Sequence, residues 1–93
     1  MPVSVRLPTV MRVHAGGQSS VSANGSTIAE VLEDLHRQFP NLQGQITDDN
    51  GELRRFVNVF VNDEDVRFLS KLDTPVKDDD EVSIVPAVAG GSG

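Results

Sequence analysis

Hydrophobic and polar residues alternate in three segments of the chain, and this period of two is typical of a half-buried β-strand. The segments are 3–7 near the N terminus, 55–61 in the middle and 82–85 before Pro86. The middle segment has the clearest pattern, because its valines face one side and the residues between them face the other. One face of the resulting sheet is therefore expected to carry Val3, Val5, Leu7, Val57, Val59, Val61, Val82 and Ile84.

A different period follows residue 27. Hydrophobic residues at steps of three and four form a stripe along one side of an α-helix, and here they are Ile28, Val31, Leu32, Leu35 and Phe39. Thr27 and Glu30 have the spacing of a capping box at the helix start. Pro40 ends the helix.

The remaining segments carry weaker signals. Residues 18–23 are expected to form a second strand, which makes a hairpin with the first across a turn at 14–17. Residues 41–53 are polar and rich in turn formers, so they are expected to form a loop. Residues 66–68 are expected to be a short strand, and 69–76 a helical turn with a connector.

The order of these elements predicts an α+β fold, with a mixed sheet of four to five strands and one main helix on one face. Helix and sheet each have an apolar side that must be buried, so the two pack together. The opposite sheet face then carries Phe56, Phe60 and Val85. Exposed aromatic residues can anchor a protein partner, and the alternative is that a loop of the same chain covers them.

Composition narrows the class of protein. The chain of 93 residues is one small domain by length. Its net charge is −6 and its eight Lys and Arg residues are scattered, which argues against nucleic-acid binding and favours a basic protein partner. No cysteine is present, which excludes thiol chemistry and fits a reducing compartment. With no secretion signal or membrane-spanning run apparent, a cytoplasmic location is expected.

Candidate catalytic and metal-binding residues are few. The carboxylates at 48–49, 63–65 and 78–81 lack the spacing of a calcium loop and are interpreted as solvated turns. His14 and His36 have no companion at metal-ligand spacing, and no serine nucleophile motif occurs. The chain is therefore not expected to be an enzyme or to bind a metal.

The C-terminal residues 87–93 are small and uncharged. They are expected to be a flexible tail on a domain of residues 1–86. An extended chain from Val85 to Gly91 spans roughly 20 Å, and glycine without a Cβ can enter a narrow slot. The tail is therefore either idle or the working part of the protein.

The sequence "DDDEVSIVPAVAGG" resembles the C-terminal part of the ThiS/MoaD family of ubiquitin-like sulfur carriers. The matching positions are Asp80, Glu81, Val82, Ile84, Pro86, Gly90 and Gly91. Residues 55–68 resemble one branch in particular, the cysteine-forming carriers called CysO. The resemblance implies a β-grasp fold.

The resemblance also implies a function that depends on the C-terminal glycines. An E1-like enzyme uses ATP and Mg²⁺ to adenylate the carboxylate of Gly91, and a sulfur donor converts it to a thiocarboxylate. A biosynthetic enzyme then consumes this sulfur to make cysteine, the thiamin thiazole, molybdopterin or a sulfur-containing secondary metabolite. For cysteine, the acceptor is a PLP-dependent enzyme. The residues expected to contact partners are Phe56, Phe60, Val85, Pro86 and Val88.

Ser92 and Gly93 depart from the family pattern, which ends in Gly-Gly. A zinc peptidase of the JAMM type is expected to cut between Gly91 and Ser92, unless cloning introduced the last two residues. Two other functions stay open. One is a ubiquitin-like modifier joined to target lysines through Gly91, and the other is a β-grasp interaction domain with an idle tail.

Overall fold

A computed structural model describes residues 2–86, which form one five-stranded mixed sheet with a helix across one face. The strand order is β2-β1-β5-β3-β4. The central pair, β1 and β5, is parallel, and every other neighbouring pair is antiparallel. The elements are β1 (Pro2–Arg6), α1 (Thr9–Arg12), β2 (Ser20–Asn24), α2 (Ile28–Gln38), β3 (Val57–Val61), β4 (Glu64–Asp65) and β5 (Glu81–Pro86).

The core lies between the sheet and α2. All eight residues expected on the inner sheet face are buried, and so are Ile28, Val31, Leu32 and Leu35 of the helix. The connecting segments add further buried side chains, which close the edges of this core: Met11, Ala15, Leu42, Ile46, Val66 and Val76. The α+β prediction is therefore confirmed, and segment 41–53 contributes to the core although it is irregular.

The start of α2 is fixed by side-chain hydrogen bonds. Glu30 N–H donates to Thr27 Oγ1 at 3.3 Å, and Ser26 N–H donates to Glu30 Oε1 at 2.8 Å. This is a capping box whose return bond reaches one residue further upstream than usual. A Cβ on Gly25 would lie 2.6 Å from the nitrogen of Val31, so the close approach to the helix requires glycine.

Side chains of α2 also reach the edge strand β2. Asn24 N–H donates to Asp34 Oδ2 at 2.9 Å, and Gln38 Nε2 donates to the Ser22 carbonyl at 2.8 Å. The bond from Asn24, followed by the one from Gln38, holds the pKa of the Asp34 carboxyl below its ordinary value. Because these outward backbone groups are occupied, part of the edge is closed to pairing with another strand.

The structure corrects the expected link between the first two strands. They do pair antiparallel, but no tight hairpin turn joins them. The helix α1 and a 3₁₀ turn at Val13–Ala15 lie between them, followed by Gly16 and Gly17 with positive φ angles of 68° and 81°. A single helical turn is too short to show a hydrophobic period, so the pattern did not reveal it.

The short strand expected at residues 66–68 is wrong. These residues form a 3₁₀ turn, begun by Arg67 N–H donating to Asp65 Oδ1 at 2.9 Å. The short strand after β3 is β4, which pairs with the end of β3 and comes earlier than expected because Asn62 and Asp63 reverse the chain in two residues. Both have positive φ angles, 50° and 75°, as a tight hairpin of this type requires.

The predicted helical turn in segment 69–76 is present as a 3₁₀ turn at Lys71–Asp73. Among the described residues, no helix has the length and apolar character needed to cross a membrane.

Candidate functional site

The outer face of the sheet, turned away from α2, carries three of the predicted docking residues, Phe56, Phe60 and Val85, whereas Pro86 pairs with the inward-facing Val57. Phe60 pairs with Ser83, and Asn58 pairs with Val85, so Phe60 and Val85 are diagonal neighbours on this face. Val85 is 41% exposed and Phe60 is half-buried. Phe56 precedes β3 in a turn and is 60% exposed, so the described part of the chain leaves most of its ring uncovered.

Arg67 joins the 66–68 turn to the start of β3. Its Nη1 donates to Asn58 Oδ1 at 2.7 Å, and its Nη2 donates to the carbonyl of Val57 at 2.8 Å. This contact could not be predicted from the sequence, because Asn58 and Val57 are nine and ten residues away from Arg67 and no local pattern links them.

Two further apolar residues lie exposed next to Arg67. Phe68 is 87% exposed, and Leu69 is exposed as well. The sequence pattern predicts a strand at residue 68, so it gives no sign of an exposed anchor there. A single exposed phenylalanine on a turn has no periodic signal that could have revealed it.

Strand β5 leads directly to the C-terminal segment and is held on both sides. It pairs with β1 through Ser4–Arg6 and with β3 over residues 82–86. Pro86, the last described residue, pairs with Val57. The predicted site residues Val88, Gly90, Gly91 and Ser92, like the whole predicted tail 87–93, lie outside the described residues.

The entry of the chain into β5 is fixed by Asn62. Its Nδ2 donates to Asp80 Oδ1 at 2.8 Å, and its Oδ1 accepts from Glu81 N–H at 2.9 Å. Asp80 Oδ2 also accepts from Lys77 N–H at 2.8 Å. The bond from Asn62, then the one from Lys77, lowers the pKa of the Asp80 carboxyl. The acidic residue before the last strand thus has a structural use as the anchor of a turn.

The other acidic and histidine residues form no recognisable reaction centre between Pro2 and Pro86. No three side chains of the types His, Asp and Glu gather there in a way that could hold a metal ion. His36 is only half-exposed, and its enclosed Nε2 has no hydrogen-bond partner. Burial lowers the pKa of His36.

The sheet order, the crossing helix and the strand that leads to the C terminus define a ubiquitin-like β-grasp protein. A ThiS family profile matches residues 5–91, and the chain belongs to the ThiS family. The chain is 50% identical to the sulfur carrier protein CysO of Mycobacterium tuberculosis over 93 residues, which cover 98% of this chain and 100% of that protein.

Solved structures agree with this assignment. A chain in the crystal structure of the Amycolatopsis orientalis BexX/CysO complex is 45% identical, with a TM-score of 0.88 over 96% of this chain and 99% of that one. The solution structure of small archaeal modifier protein 1 from Methanosarcina acetivorans is 31% identical, with a TM-score of 0.85 over 97% and 96%. The predicted resemblance to ubiquitin-like sulfur carriers is therefore confirmed.

Proposed function

We propose that this protein is a sulfur carrier whose working group is a thiocarboxylate on Gly91. One observation carries the proposal: the family match runs to residue 91, the second glycine of the Gly-Gly pair, in a chain half identical to CysO. The relatives are sulfur carriers, and the proposed role of this chain is likewise that of a protein cosubstrate. Its partners, not its own side chains, supply the catalytic groups.

The chemistry explains why activation is needed. A carboxylate resists nucleophilic attack, because its charge is delocalised and its leaving group would be oxide. An E1-like enzyme with ATP and Mg²⁺ lets a carboxylate oxygen of Gly91 attack the α-phosphorus, and pyrophosphate leaves. Hydrosulfide, or an equivalent sulfur donor, then attacks the acyl-adenylate carbonyl and AMP leaves. The product is the thiocarboxylate, and ATP and Mg²⁺ belong to the activating partner.

The folded domain, residues 1–86, holds Pro86 in place, and this residue is the root from which the tail continues. β5 is hydrogen-bonded on both sides and ends on Pro86, so the tail 87–93 starts from a fixed point in the sheet. The proposed docking surface for the activating enzyme lies beside this point and consists of Phe56, Phe60, Val85 and Pro86, with Val88 in the tail. Aromatic residues of this kind supply large contact area to interface hot spots.

Removal of Ser92 and Gly93 precedes activation in this proposal. With Ser92 in place, the carbonyl of Gly91 belongs to a peptide bond, so Gly91 has no free carboxylate to adenylate. A zinc peptidase of the JAMM type is proposed to cut after Gly91. The intact mass of the natural protein tests this step, because a stable form that retains Gly93 argues against it.

The proposed destination of the sulfur is cysteine. Similarity to CysO favours a PLP-dependent acceptor enzyme that makes an aminoacrylate, which the thiocarboxylate attacks. Thiazole, molybdopterin or a sulfur-containing secondary metabolite would require a different acceptor and no change in this chain. A pull-down with a chain that ends at Gly91 identifies the activating and acceptor enzymes together.

The decisive experiment uses a chain that ends at Gly91, the E1-like enzyme encoded in the same genome, ATP, Mg²⁺ and sulfide. The expected product has sulfur in place of one carboxylate oxygen, seen as a change in intact mass. A chain that ends at Ala89 is the matched control and is expected to remain unchanged. The proposal would be contradicted if the chain that ends at Gly91 gained no sulfur while the same enzyme preparation activated another substrate.

A second candidate is a protein modifier conjugated through Gly91. The similarity to small archaeal modifier protein 1 favours it, since that protein is named for modification and shares the fold. Adenylation precedes both fates, so the products must be compared. A ladder of proteins linked to Gly91 by isopeptide bonds, with no thiocarboxylate, would favour the modifier.

A further inference from the structure

A groove of about 480 Å³ lies where β5 ends, between that strand and α1. One wall is formed by residues 6–10 and Arg12, and the other by residues 83–86. The groove therefore borders Pro86, the residue from which the C-terminal segment continues. It lies next to the outer-face docking surface, since Val85 belongs to both.

The groove is apolar with two cationic groups. Val10 is 67% exposed although it is a branched aliphatic residue, and the exposed Val85 lines the same groove. The side chain of Arg6 is 65% exposed. Arg12 is held in place because its Nε donates to the carbonyl of Leu7 at 3.2 Å.

The positive charge of the groove contrasts with the rest of the protein. The chain carries a net charge of −6, yet no Asp or Glu lines this groove. The nearest compensation is Glu81, whose Oε1 lies 4.0 Å from Arg6, and exposed pairs at such distances contribute little. By comparison, a depression beside α2 is lined by Glu33, Asp48 and Asp49 without any Lys or Arg.

We infer that this groove binds an acidic segment of the activating enzyme, with an aliphatic residue of that segment against Val10 and Val85. The inference rests on the proposed function and adds the chemistry by which the partner is recognised. Charge complementarity carries it, because a local cationic groove on an anionic protein attracts carboxylates that the remaining surface repels. Occupation of the groove also fixes the partner next to the root of the tail.

The test compares charge changes at arginines inside and outside the groove, all in chains that end at Gly91. Arg6→Glu is expected to raise the KM for the carrier in ATP–pyrophosphate exchange by about tenfold at low salt, with kcat nearly unchanged. Arg12→Gln is expected to raise this KM as well. The effect of Arg6→Glu on KM is expected to shrink at higher salt, because salt screens the charges. The control is Arg37→Glu, an equal charge change on α2, where the guanidinium is exposed and pairs only with Asp34 in the described chain. Thermal unfolding of each variant confirms that it is folded.

The outcomes separate this inference from the proposed function. Equal KM values for Arg6→Glu and Arg37→Glu, with a fully active parent chain, would overturn the groove assignment alone. A parent chain that ends at Gly91 and supports no exchange, with an enzyme that activates another substrate, would overturn both. Nuclear Overhauser contacts between the Val10 methyls and residues 87–93 would show that the chain's own tail occupies the groove. Concentration-dependent dimerisation that Arg6→Glu abolishes would show that a second copy of the chain occupies it. Either result would overturn the inference.

Discussion

Pro86 pairs with Val57 at the end of the β3–β5 ladder, so the last described residue lies beside the first residue of a central strand. The sheet therefore holds β5 as far as Pro86. The segment to which the proposal assigns the chemistry follows directly on this residue in the sequence.

In a chain that ends at residue 91, Gly91→Ala is expected to slow adenylation by at least about tenfold, because a methyl group hinders entry of the terminus into a narrow active site. Stability should barely change, since position 91 lies beyond the strand that completes the core. ATP–pyrophosphate exchange and thermal unfolding measure the two effects. Ala87→Gly, a one-methyl change near the root of the tail, is the control and should be nearly neutral for adenylation. Equal exchange rates for Gly91→Ala and the parent chain would count against entry of the tail.

Phe60→Asp is expected to weaken binding of the activating enzyme by about tenfold or more, because it places a carboxylate within an apolar contact. Phe56→Asp should act in the same direction. Ser22→Asp lies on the same sheet face but on the far edge strand, and it should leave the affinity unchanged. Isothermal titration calorimetry distinguishes these variants. Unchanged affinity for both phenylalanine variants would show that this surface is not the docking site.

Arg67→Ala is expected to reduce the free energy of unfolding by about 1 kcal/mol, because it removes hydrogen bonds to Asn58 and the Val57 carbonyl. Urea denaturation measures this loss. In a double-mutant cycle with Asn58→Ala, the two changes should be less than additive, since they share one bond. Lys71→Ala, at an exposed residue without a side-chain hydrogen bond in the described chain, is the control. Strict additivity of Arg67→Ala and Asn58→Ala would contradict this contact.

The acid sensitivity of the fold should depend on Asp34. Its pKa is lowered in the folded state, so the unfolded chain binds the proton more readily. The stabilisation is therefore complete above the ordinary pKa of 3.8 and is lost as the pH falls below that value. Asp34→Asn should flatten the fall in unfolding free energy in this acidic range, whereas Asp49→Asn serves as the exposed control. An identical pH profile for Asp34→Asn and the parent chain would contradict the assignment.

The fold was predictable because its core obeys local periodicity. Val57, Val59 and Val61 alternate with outward residues, and each of the three is buried as that period requires. The capping box of α2 could also be predicted, because Thr27 and Glu30 are three positions apart in the sequence. Patterns of this kind depend only on neighbours in the sequence.

The features that escaped prediction depend on contacts between distant residues or on very short elements. Arg67 reaches Asn58 across nine positions, and the groove beside α1 exists only because β1 and β5 lie side by side. The 66–68 turn was mistaken for a strand, because buried Val66 and exposed Phe68 give no alternation that separates the two structures. The Gly-Gly end could be recognised only by resemblance, because no local pattern reveals a chemistry that, in the proposal, partner enzymes supply.

The most direct measurement is the intact mass of this protein isolated from its native cell under sulfur limitation. The proposal predicts a chain that ends at Gly91 and carries one sulfur in place of a carboxylate oxygen. A protein that retains Ser92 and Gly93 with an ordinary carboxylate under every growth condition would contradict it.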